Sequence, residues 1–98
     1  MTTHLERRLI DVAERLKRVR ADLTVTEEQL AYLEDQADDA RLRALVAETP
    51  LGDVEARDAR RQADALARQA DALRRSVADL ESEQDALLDR MSAALATD

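Results

Sequence analysis

A hydrophobic repeat with alternating steps of three and four residues runs along nearly the whole chain in two copies, separated by one Thr-Pro-Leu-Gly segment. The first copy reads Leu5, Leu9, Val12, Leu16, Val19, Leu23, Thr26, Leu30, Leu33, Ala37, Ala40, Ala44 and Ala47. The second reads Ala56, Ala59, Ala63, Leu66, Ala70, Leu73, Val77, Leu80, Gln84, Leu87, Met91 and Ala94. An α-helix turns once in about 3.6 residues, so this spacing holds the side chains on one stripe of a helix. A strict seven-residue repeat, lettered a to g with a and d apolar, is the seam of a left-handed coiled coil. The pattern predicts an all-α chain of two long helices in an antiparallel coiled-coil hairpin.

Local signals place the helix ends. Thr3 followed by Glu6 has capping-box spacing, so the first helix is expected from about residue 4 to 48. Thr49 to Asp53 hold the only Pro and the only Gly. Pro50 disfavours helix at Thr49, Gly52 permits a left-handed turn, and Asp53 has the chemistry of an N-cap, which predicts a turn at 49–53 and a second helix over 53–95. Thr24, Val25 and Thr26 are β-branched and raise the question of a break. Leu23 and Leu30 nevertheless stay seven residues apart, so a continuous helix is expected. At 98 residues the whole is read as a single helical-hairpin domain over 1–98.

Folding the chain back at Leu51/Gly52 pairs residues whose numbers sum to 103, among them Leu16 with Leu87, Leu23 with Leu80, Leu30 with Leu73 and Ala40 with Ala63. Every such pair sets an a residue against a d residue, as antiparallel helices require. Charge points the same way. Residues 1–20 carry six basic and three acidic side chains, beside residues 76–98 with six acidic and one basic. Arg20–Glu81 and Glu27–Arg74 are expected flanking pairs, which select orientation more than they stabilise.

Composition narrows the function. Hydrophobic content is 45%, nearly all aliphatic, with one Tyr and no Phe or Trp, which suits a thin helix–helix seam better than a thick core. The net charge of −7 disfavours direct nucleic-acid binding and attraction to an anionic membrane, since both draw on clustered Lys and Arg. No apolar run approaches the ~18 residues of a membrane span, and no secretory h-region is evident, so a cytoplasmic location is expected. Fourteen Arg against one Lys point to GC-rich coding, as in many bacteria.

The two flanks of the predicted seam differ. One carries Arg20, Glu27, Glu34, Arg41, Arg60, Arg74 and Glu81, an ordinary solvated face. The other, at g and c positions, carries Val25, Gln29, Tyr32 and Gln36 on the first arm. On the second arm it carries Gln62, Ala65, Gln69, Ala72 and Ser76. A two-helix hairpin with an Ala-heavy seam is marginal alone, and association into a four-helix bundle is a common remedy. This uncharged flank is the expected partner-binding surface, with a homodimer as the expected assembly. Near the turn, Leu42, Leu45, Val46, Leu51 and Val54 lie off the Ala stripe. They are expected to fold over and cap the turn, the other reading being an exposed apolar tip for a partner.

No catalytic constellation is present. The single His4 stands at the N-terminus, no Glu-x-x-His pair supports a di-metal site, and neither a Gly-rich phosphate loop nor a Ser/His/Asp set occurs. No catalytic residue, metal or cofactor is expected, and the chain reads as a non-enzymatic protein–protein interaction module whose partner the sequence does not name. One motif points elsewhere. Leu51-Gly52-Asp53-Val54-Glu55 resembles the Gly-Asp-Leu-x-Glu tip of the Gre-type transcript-cleavage factors, whose antiparallel hairpin enters the RNA polymerase secondary channel. That resemblance implies a tip site of Leu51, Asp53, Val54 and Glu55, with the acids helping to hold Mg²⁺. It covers about five residues; Glu55 falls one position early, and the Asn-Ala-Glu-Tyr that follows in that family is absent. Pro50-Leu51-Gly52 also resembles the turn of the secreted Trp-x-Gly family, without its Trp or its C-terminal Tyr-based signal.

Overall fold

The computed structural model describes residues 3–97. Two helices, α1 (His4–Ala47) and α2 (Pro50–Ala96), form a helical hairpin, and among the described residues only Thr3, Glu48, Thr49 and Thr97 lie outside them. Thr3 caps α1 as its spacing to Glu6 predicts. Its Oγ1 accepts from the Glu6 N–H at 3.1 Å, and its carbonyl accepts from the Arg7 N–H at 3.0 Å. The β-branched run at 24–26 does not interrupt α1. Thr26, on the stripe, is 5% exposed, so its packing outweighs a weak propensity penalty.

The turn is shorter than the sequence reading places it. Residues 50–53, expected in the turn, form the first turn of α2. Thr49, not Asp53, is the cap: its Oγ1 accepts from the Gly52 N–H at 3.1 Å, and its carbonyl accepts from the Asp53 N–H at 3.2 Å. Pro50 then takes the first helical position, where a fixed φ suits the helix and the missing N–H would have had no intrahelical partner. The left-handed residue is Glu48, with φ of 52°, whereas Gly52 has no positive φ. Gly52 matters through closeness instead. A Cβ there would stand 3.4 Å from the Ala44 Cα and 3.1 Å from the Thr49 Oγ1, so a bare backbone lets the arms meet beside the turn.

Moving the turn changes the register. With the arms joined through Glu48 and Thr49, residues whose numbers sum to about 96 stand opposite one another, not those summing to 103. The chain divides into two compact units, residues 23–72 and residues 1–22 with 73–98, and contacts within each fit this register. In the first, Ala44 touches the position of Gly52, and Arg60 binds Asp38 at 3.0 Å. In the second, Arg8 reaches Glu83 at 3.6 Å. A sum of 103 would separate that pair by twelve residues, about 18 Å along the axis. The two sums differ by one heptad, so either keeps a against d. Leu16 therefore faces Leu80 rather than Leu87, and Ala40 faces Ala56 rather than Ala63.

Burial follows the stripes. In residues 1–22 with 73–98, Val12, Leu16, Leu80 and Leu87 form the core, with Leu5, Leu9, Val19 and Val77 packed against it. In residues 23–72 the buried aliphatic side chains are Ala37, Ala40, Ala44, Ala63 and Ala70. Alanines let the backbones approach closely but bury little area, at about 25 cal/mol per Å². Leucines hold one unit and close contact holds the other. Of the expected flanking pairs, Arg20–Glu81 is present at 3.5 Å, well exposed on both sides. Arg60, on the same flank, binds Asp38.

Candidate interaction surfaces

Helical spacing decides what the hairpin shows to its surroundings. Val25, Gln29, Tyr32 and Gln36 step by four, three and four along α1, and Gln62, Ala65, Gln69 and Ala72 by three, four and three along α2. Each set therefore occupies one face of its helix. All eight are exposed, Tyr32 at 64%. The g and c positions of antiparallel helices share a flank of the seam, and on that flank of residues 23–72 the first set borders a groove. There Glu28, Gln29, Tyr32, Leu33 and Leu66 line a shallow groove. Leu33 and Leu66 are seam residues, only partly buried. The Tyr32 ring and the Gln29 amide thus stand beside apolar surface that the two helices leave uncovered. Ser76, the remaining predicted residue, lies in the other unit, where it lines a groove with Arg15, Val19, Asp79, Leu80 and Glu83.

The seam leucines in this groove escape the sequence reading, which counts every stripe residue as interior. For Leu33 the signal is the Ala content of the opposing stripe. Leu33 faces Ala63, and a leucine opposed by so small a partner keeps one edge open. Comparison with protein families, curated proteins and solved structures gave no match.

At the turn the expectation of a folded-over cap fails. Leu42, Leu45, Val46, Leu51 and Val54 are all exposed, Val46 at 87%. With the turn reduced to two residues, no loop remains to carry Leu51 and Val54 across the helix ends. Each points out from its helix instead. The tip acids Asp53 and Glu55 are also exposed, and two residues apart on a helix they diverge by roughly 200°. Asp53 lies in the first turn of α2, where a negative charge is favoured by the helix dipole. No group of three or more His, Cys, Asp or Glu suited to a metal occurs among the described residues. Nor is any helix long and apolar enough to cross a membrane among those residues. A further exposed aliphatic set, Ile10, Leu88 and Leu95, occupies b and e positions in residues 1–22 with 73–98.

Proposed function

We propose that this chain is a cytoplasmic, non-enzymatic protein–protein interaction module, an adaptor or scaffold, whose uncharged flank takes up a second copy of itself to make a four-helix bundle. The observation that carries the reading is the groove of Glu28, Gln29, Tyr32, Leu33 and Leu66. It places the only aromatic side chain, largely exposed, over seam leucines that lack full cover. Aromatic rings on a solvated helix face are enriched at interfaces, where one ring contributes a large contact area at a small entropic cost. Glu28 is the one charged residue lining the groove, and the neighbouring Gln and Ala side chains bring no further charge that association would have to desolvate.

Sedimentation equilibrium of the wild-type chain and of Ala65→Arg tests this. Ala65 is exposed in the hairpin, so the substitution should leave the helix content intact. A dimer at micromolar concentration that Ala65→Arg converts to a folded monomer is the expected result. A folded wild-type monomer at high micromolar concentration would sink the reading.

A further inference from the structure

Resting on that reading, we infer that the two copies pair in parallel, tips at the same end, so that α1 of one copy lies on α2 of the other. Two copies meeting flank to flank about a two-fold axis have two arrangements. Antiparallel copies lay α1 on α1 and α2 on α2; parallel copies lay α1 on α2. Shape separates the two within residues 23–72. The bulky flank residues, Val25 and Tyr32, are both on α1, and the small ones, Ala65 and Ala72, are both on α2. Tyr32 and Leu66 line one groove, which puts Tyr32 level with Ala65 and, two turns on, Val25 level with Ala72. Parallel copies seat each bulky side chain over the partner's small one. Antiparallel copies set bulk on bulk along α1 and leave Ala against Ala along α2, which opens a void.

Gln29 is level with Gln69, and Gln36 with Gln62, so either orientation can close two layers of four amides, in which each side chain can both donate and accept. Charge supplies the independent argument. Along the g and c positions of α1 the uncharged stretch is bracketed by Arg15, Arg18 and Arg43, with Asp22 and Asp39 against the trend. Along those of α2 it is bracketed by Glu55, Asp58, Asp79 and Glu83, with no basic residue among them. Placing α1 on α2 sets Arg43 by Glu55 and Arg18 by Asp79, at the price of one like-charged pair, Asp39 with Asp58. Placing like helix on like helix sets the four acids of α2 on themselves. Such juxtapositions decide orientation more than affinity.

The chain has no Cys, so one nitroxide label at Leu51→Cys, exposed at the tip, reports the arrangement by dipolar spectroscopy. Parallel copies bring the labels within roughly 30 Å. Antiparallel copies hold them roughly 45 Å apart or more, from 1.5 Å per residue to the middle of the flank. The expected result is a short distance that disappears when Ala65→Arg is added. A dimer showing only the long distance would overturn the parallel pairing while leaving the interaction reading in place. A short distance that survives Ala65→Arg would mean that the tips, not the flanks, associate, and would overturn both, as would a labelled chain that stays monomeric.

Discussion

The register of the hairpin can be tested by closing it covalently. Ala40 is 7% exposed and faces the partly buried Ala56 when paired residues sum to 96. Packed helices lie about 8–10 Å apart between axes, with Cα atoms at a radius of about 2.3 Å, so facing Cα atoms lie about 3.4–5.4 Å apart. That overlaps the range a disulfide spans. In Ala40→Cys/Ala56→Cys the bridge closes a loop of about 15 residues and should stabilise by about 3 kcal/mol, a rise of roughly 12–24 °C in Tm. The comparison pair Ala40→Cys/Ala63→Cys is the one that a sum of 103 requires. Here its second Cys is displaced by seven residues, about 10 Å, beyond reach of an unstrained bridge. Both double variants carry two Ala→Cys changes in helices, so the propensity penalty is nearly shared, and comparing oxidised with reduced protein removes it. Free-thiol titration after mild oxidation, gel analysis to set aside intermolecular links, and thermal melts give the answer. If Ala40→Cys/Ala63→Cys closes readily and its partner variant stays reduced, the register is wrong by one heptad.

Two further perturbations probe the seam and the turn. Leu87, 2% exposed, and Leu88, 44% exposed, are neighbours of identical chemistry. In urea melts Leu87→Ala should cost about 2–4 kcal/mol and Leu88→Ala less than about 1 kcal/mol, and equal losses would contradict the seam. At the turn Glu48 holds a left-handed φ without the freedom of Gly, so Glu48→Gly should stabilise by about 1 kcal/mol. Thr49→Ala, which removes the cap on α2, should destabilise by about as much; thermal unfolding of both separates this turn from one centred on Gly52.

The exposure of the uncharged flank is legible in the sequence, because g and c positions follow from the heptad phase alone. Val25, Gln29, Tyr32, Gln36 and their counterparts on α2 are exposed where that phase puts them. The uncovered edge of Leu33 is legible in the sequence, since an Ala stands opposite it in either register, Ala63 or Ala70. That of Leu66 is not, because its opposite residue changes with the register, Leu30 at a sum of 96 and Ala37 at 103. The exposed tip is only the second of the two readings the sequence offers, for a related reason. Leu51 and Val54 fold over a turn only if the turn is long enough to carry them, and only Glu48 and Thr49 link the helices.

Periodicity by itself determined two continuous helices, their stripes and their flanks, since a 3.6-residue turn converts sequence spacing directly into direction around a helix. Registers that differ by seven residues are degenerate under that rule, because each puts a against d and opposes similar side chains. The tertiary structure broke the degeneracy at the turn. A left-handed Glu48, a capping Thr49 and a Pro50 seated in the first turn of α2 leave room for two linking residues, and Gly52 lets Ala44 come close beside them. Backbone geometry over five residues thus sets which side chains meet along two helices of more than forty residues each.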